Sequence, residues 1–216
     1  MNIGTKIASV ALCAATVFSM TSCSFLLGGS KLGAAKLESY AAGEGAQEME
    51  SAKKFLDADE DDLEEGVYVS VEGKDCKKIL TEKDLFVIPV LKDFYDKSMQ
   101  KLTIYVQGTT SGSKRDIVYA MSIVFEDEDS AEDYFDSIHD GIQPNPGISA
   151  NNDDGTDEDI DYTVMNISDD PHYAAVGGYR DGNTVLFLIG YGNSKKVIKN
   201  VDAICEALGV HQVTDT

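Results

Sequence analysis

Valine stands at positions 67, 69 and 71, and a period of two puts all three on one face of a strand. Residues 101–107 and 115–125 predict two more strands, the second carrying Ile117, Tyr119, Met121, Ile123 and Phe125 on a single face. Between them, residues 108–114 are rich in Thr, Ser and Gly and predict a loop. The spacing then becomes helical. Ala131, Tyr134, Phe135 and Ile138 fall at i, i+3, i+4 and i+7 behind an acidic first turn, and Gly141 ends the run. Val197, Ile198, Val201, Ile204, Cys205 and Leu208 form a second such stripe, stopped by Gly209. Over residues 75–98, Asp75 and Thr81 can cap helical turns while Pro89 interrupts an apolar run, which predicts one kinked helix or two short ones.

Asp181-Gly182 lies between two strand-like runs and predicts a two-residue type I′ hairpin. Pairing outward from it sets Gly178 opposite Val185, Gly177 opposite Leu186 and Val176 opposite Phe187. Residues 184–191 are apolar on both faces and belong in the middle of a sheet. The strand glycines Gly177 and Gly178 allow a helix or a ligand to come close to the backbone. Residues 141–158 show no periodicity and predict a long loop of the kind that carries function or lacks order. The element order is β-α-β-β-α-β-β-β-α. It predicts a single α+β domain, a mostly antiparallel sheet of about five to six strands with two to three helices packed on one face. A pair of related β-β-α half-modules is the alternative.

The amino terminus reads differently. Lys6 precedes an apolar run over residues 7–20, the length of an export signal and short of the about 20 residues that span hydrocarbon. Met20-Thr21-Ser22-Cys23 follows directly and resembles the lipobox of bacterial prolipoproteins: an apolar residue, two small residues, then Cys. Met20 stands where Leu is usual, and Thr21 is less typical than Ala or Ser. The resemblance implies removal of residues 1–22, diacylglycerol on the Cys23 thiol, and a protein lipid-anchored at a cell membrane or outer membrane, facing away from the cytoplasm. Residues 23–60 then predict a flexible, acidic, Gly-rich tether, with a weak helix over 46–56; 61–210 predict the globular domain and 211–216 a tail.

The formal charge of −20 repels nucleic-acid phosphates, which removes nucleic acid from the expected partners. It repels anionic lipid too, so membrane attachment has to come from acyl chains. One acidic run, residues 57–65, imitates the alternating carboxylates of an EF-hand but has Asp62 at the sixth position and Tyr68 at the twelfth, where Gly and a bidentate Glu are needed. A second cluster around Gly155 offers Asp153, Asp154, Asp157 and Asp159 as cation ligands, with simple hydration as the alternative.

Cys76 and Cys205 are the thiols left after Cys23 in a mature chain, and an oxidising compartment would let them form a disulfide. Cys205 equally suits a buried free thiol on its helix stripe. His139, His172 and His211 lack metal-ligand spacing, with His211 placed in the tail. Ser-x-x-Lys occurs at Ser51/Lys54, Ser98/Lys101 and Ser111/Lys114 without the companion motifs of penicillin-binding enzymes. No phosphate loop, dinucleotide fingerprint or G-x-S-x-G is present. The expectation is a non-catalytic binding or interaction module without a cofactor, meeting an unknown protein or small molecule through residues 141–158 and 108–114. A cation-responsive envelope protein and an unrecognised envelope hydrolase are the alternatives.

Overall fold

The structure is a computed structural model that describes residues 30–81, 95–109, 115–142, 149–169 and 171–215. The chain divides after Ser30, and Lys31–Thr216 forms one folded unit. The expected export signal, Cys23, the break expected at Pro89 and residues 110–114 lie outside the described residues.

In chain order the elements are α1 (Ala34–Gly43), β1 (Gln47–Glu48), α2 (Ala52–Leu56), α3 (Glu60–Glu65), β2 (Val67–Glu72), α4 (Lys74–Thr81), β3 (Met99–Thr109), β4 (Asp116–Phe125), α5 (Glu128–Gly141), β5 (Asn151–Asp157), β6 (Ile160–Asp169), β7 (His172–Asp181), β8 (Thr184–Gly192) and α6 (Lys196–Leu208). The strands make one sheet in the order β1-β2-β3-β4-β8-β7-β6-β5. β1 runs parallel to β2; every other neighbouring pair is antiparallel. The domain is therefore single and α+β, with eight strands and six helices among the described residues rather than the smaller numbers expected.

The helices cover both faces of the sheet, which corrects the one-face expectation. On the first face, Val67, Val69 and Val71 of β2, Ile104 of β3, Met121 of β4 and Phe187 of β8 share a core with Phe55 of α2, Ile79 of α4 and Phe135 of α5. On the second, Tyr105 of β3, Ala120 of β4, Leu188 of β8 and Tyr179 of β7 share a core with Leu37 of α1 and Val201 of α6. β4 and β8 sit side by side in the middle and are apolar in both parities. A sheet whose central strands are apolar on both sides needs a helical layer on each.

That arrangement also disposes of the half-module alternative. The halves β2-β3-β4-α5 and β6-β7-β8-α6 meet across the antiparallel β4/β8 pair, and a rotation exchanging them would keep both helices on one face. α5 and α6 lie on opposite faces.

Residues from Lys31 onward are part of the fold, which corrects the tether. Ala34, Leu37 and Ala41, at i, i+3 and i+7, are the buried side of α1, and Tyr40 meets Tyr105 edge to face at 5.8 Å. The acidic run that imitates an EF-hand is a helix start instead. Asp59 accepts from the amides of Asp61 and Asp62, Asp62 accepts from the amide of Asp59, and α3 follows from this capping box.

Two hairpins depart from the expected turns. Asp181 pairs with Thr184 and Gly178 with Phe187, so Gly182 and Asn183 are the loop residues and the register is shifted one residue along each strand. Only Gly182 has positive φ, +57°, whereas a type I′ turn needs it at both central positions. The other hairpin, β5 to β6, turns at Glu158 and Asp159, both with positive φ (47° and 69°). Its first strand occupies much of the segment expected to be a loop. β5 is exposed along nearly its whole length and closes one edge of the sheet, so it carries no hydrophobic alternation to read, and its carboxylates guard the edge against further pairing. Among the described residues, no helix is long and apolar enough to cross a membrane.

Candidate binding cleft

α5 starts firmly: Asp127 caps it by accepting from the amide of Ser130 at 2.8 Å, with Glu128 and Asp129 in the first turn. Its apolar stripe then settles on β7 and β8. Gly178 sets how closely, since a Cβ there would lie 2.8 Å from Cγ2 of Ile138. The close approach expected at this glycine is thus made by a helix. Gly177 faces the other side, where a Cβ would meet the ring of Tyr179 at 2.7 Å.

Beside this contact, the outer edge of α5, the sheet and residues 95–98 leading into β3 leave a cleft of about 810 Å³. Met165, Val176, Phe187 and Ile189 of the sheet and Tyr134, Ile138 and Ile142 of the helix supply its apolar walls. Ser130, Asp133 and Ser137 of α5, with Asp96, Lys97 and Ser98 opposite, supply the polar ones. The volume lies in the range of small-molecule sites, and apolar walls with a few polar groups are their usual composition.

The polar groups have definite states. Asp96 accepts from the amide of Ser98 at 2.7 Å and from its hydroxyl, and these bonds to the ionised form hold its carboxyl below the usual range. Tyr134 is pushed the other way, well above its ordinary value, first by burial and then by the charge of Asp96, so its hydroxyl keeps its proton. Ser137 donates to the main-chain oxygen of Asp133 at 2.9 Å, leaving its own lone pairs to face outward. Tyr95, at the end of the cleft, has the Lys77 ammonium 5.5 Å from its ring centroid.

The polar border contains a hydroxyl–carboxylate pair. Ser98 is the hydroxyl held by a carboxylate, yet Asp96 is a weakened base because the same bonds stabilise its charge. The described lining residues include neither His nor Cys.

The residues singled out by sequence are scattered elsewhere. Cys76 lies in the first-face core and Cys205 in the second, on opposite sides of the sheet, and both are buried free thiols rather than the possible disulfide. Asp153 accepts from the Tyr162 hydroxyl at 3.1 Å, Asp154 is the next residue of the same strand and points to the other face, and Asp159 sits in the turn. The four cation candidates do not converge. No group of three or more His, Cys, Asp or Glu among the described residues is placed to hold a metal ion. Ser51 is the cap of α2, accepting from the amide of Lys54, and Lys101 pairs with Glu38 at 3.7 Å. Ser111 and Lys114 lie outside the described residues.

His211 is not in a loose tail. Its ring stacks on Tyr162 with centroids 4.1 Å apart, its Nε2 is 3.6 Å from Asp153, and its main-chain oxygen accepts from Tyr179 at 2.7 Å. Residues beyond it are tied as well, with Asn166 donating to the Val213 oxygen and the Val213 amide donating to Asp202. His139 lies in the last turn of α5. His172 faces a shallower hollow of about 350 Å³ with Arg115 and Tyr191.

Of the two predicted contact regions, residues 110–114 and 143–148 lie outside the described residues, and residues 151–157 are strand β5. The cleft is the feature that sequence reasoning missed. Its one local signal is the polar row Ser130, Asp133, Ser137 and Gly141, at i, i+3, i+7 and i+11 beside the apolar stripe of α5.

Comparison with known proteins gives little to set beside this geometry. No protein-family model matches the chain, and no curated protein matches it. Among solved structures it is similar to the extracellular domain of PknH from Mycobacterium tuberculosis, with 10% identity over 70% of this chain and 83% of that one, at a TM-score of 0.37. Two folds that superpose so loosely allow no property to be carried from one to the other.

Proposed function

We propose that this chain is a lipid-anchored extracytoplasmic binding protein, held at a membrane through Cys23 and taking its ligand in the cleft beside α5. The cleft carries the reading: about 810 Å³ of space with apolar walls and an ordered polar border is a place for a ligand, and its serines and carboxylates lack an activated nucleophile. The lipobox-like Met20-Thr21-Ser22-Cys23 supports the anchor, and the −20 charge leaves acyl chains as the means of holding such a body at anionic lipid. The partner is a small molecule or a short protein segment. Nucleic acid is not among the proposed ligands, and no cofactor is part of the reading.

Two measurements test it. Wild-type chain should fractionate with membranes and incorporate labelled fatty acid, and the Cys23→Ala form should do neither; equal membrane retention of both forms removes the anchor. Full chain carrying Cys23→Ala should bind Nile red, a neutral apolar dye, at one saturable site. Ser137 is exposed at the cleft border, so Ser137→Trp should close the cleft and lower dye affinity about tenfold or more, the effect of losing most of the apolar contact. Unchanged dye binding in that variant removes the cleft as the site.

A further inference from the structure

The charges around the cleft say what its ligand carries. Among the described lining residues, two carboxylates, Asp96 and Asp133, stand against one ammonium, Lys97. Asp96 is kept ionised by the amide and hydroxyl of Ser98, and Asp133 and Lys97 are exposed. The balance of these lining groups is therefore negative. The whole molecule agrees with it, because a formal charge of −20 steers cations toward the surface and turns anions away.

Placement matters as much as sign. The apolar groups Phe187, Ile189 and Ile142 are buried, while the carboxylates stand at the solvent side. A cation seated between them would keep part of its hydration, so binding would not require the large cost of burying an unpaired charge. The hydroxyls of Ser130 and Ser137 add acceptors on the same border. Aromatic rings contribute in the same sense, since Tyr134 and Phe187 line the interior away from the Tyr95 face that Lys77 covers.

We infer that the cleft selects a small amphiphilic cation: an apolar or aromatic body of drug-like size bearing one ammonium or guanidinium group, the body against Phe187 and Ile189 and the cation between Asp96 and Asp133. The inference rests on the cleft being the ligand seat proposed above and adds the chemistry of what sits there.

The test uses three water-soluble probes of one shape, phenylbutylammonium, phenylbutanol and phenylbutyrate, titrated calorimetrically into full chain carrying Cys23→Ala. The ammonium should bind tightest, the alcohol next and the carboxylate weakest, with about fivefold or more between ammonium and alcohol, the scale of one or two exposed ion pairs. High salt should shrink that gap. In the double variant Asp96→Asn, Asp133→Asn, the ammonium should fall to the affinity the same variant shows for the alcohol. An alcohol that binds as tightly as the ammonium, or a carboxylate that binds tighter, overturns the cation preference while leaving the cleft as a binding site. A wild-type cleft that takes none of the three removes both readings together.

Discussion

The hydroxyl of Tyr179 donates to the main-chain oxygen of His211 at 2.7 Å and lies 3.3 Å from the thiol of Cys205. Tyr179 is fully buried in the second core. This one bond joins β7 to the segment after α6, and it satisfies a part-buried carbonyl. Tyr179→Phe keeps the ring and removes the donor. It should lower stability by about 1–2 kcal/mol, the cost of stranding a buried acceptor, read as a lower urea midpoint at unchanged slope. A midpoint equal to wild type would mean the carboxy-terminal segment is not held through this bond.

Gly190 of β8 lies under α6. A Cβ at this position would be 2.7 Å from Cγ2 of Val201 and 2.9 Å from the main-chain oxygen of Val197. The first contact can be relieved by a side chain, but the second is backbone, so the helix itself must lift. Gly190→Ala should destabilise by about 1–3 kcal/mol, as overpacking does. Adding Val201→Ala should recover little of it, because Val201 is itself a fully buried member of the core. Full recovery in the double variant would show that the carbonyl contact is not the limiting one.

The strands that form the centre of the fold were legible because their patterns are strong and local. Ile117, Tyr119, Met121, Ile123 and Phe125 alternate without a break, and Val118 and Ala120 between them are apolar too. What stayed hidden depends on partners distant in sequence. Leu37 and Ala41 fill a helical stripe, yet the glycines on either side of α1 outweigh so short a run until Tyr68 and Tyr105 are seen beneath it. β5 has no apolar face because, among the described residues, it has one strand neighbour and no helix over it. The cleft draws Met165, Val176 and Phe187 from three strands and Asp96 from the approach to a fourth, and no pattern within one segment brings them together. Cys76 and Cys205 illustrate the converse: composition permits a bridge that the sheet between them forbids.

Asp202 of α6 accepts from the Val213 amide at 3.0 Å and from the Thr214 hydroxyl at 2.8 Å. Burial nonetheless raises its carboxyl above the ordinary value, outweighing those bonds. A carboxyl with a raised folded-state pKa binds its proton more tightly folded than unfolded, so its contribution is most favourable below the unfolded pKa and is lost as pH rises through the folded one. Asp202→Asn does not titrate. Wild-type stability minus that of Asp202→Asn should therefore increase as pH falls from about 7 to about 3.5, the window that covers both values. Urea unfolding of the pair across that window checks it, and a difference that stays flat or falls would refute the raised pKa.

Burial pushes the Cys76 thiol up to about 11 and the Cys205 thiol up to about 12. In each case desolvation is the largest cause, and for Cys205 it exceeds the opposing bond to Tyr179. Only the thiolate attacks a disulfide reagent, and a group with a pKa near 11 is thiolate to about one part in a thousand at pH 8. Both side chains are also fully enclosed, on opposite faces of the sheet. The folded chain carrying Cys13→Ala and Cys23→Ala should leave its two remaining thiols unmodified by Ellman's reagent over hours at pH 8. Under denaturant without reductant, both should then react at once. Rapid labelling of the native protein at Cys205 would mean that α6 opens from the sheet far more readily than its packing allows. Fewer reactive thiols under denaturant without reductant than with it would mean that Cys76 and Cys205 are bridged and do not reside on opposite faces of the sheet.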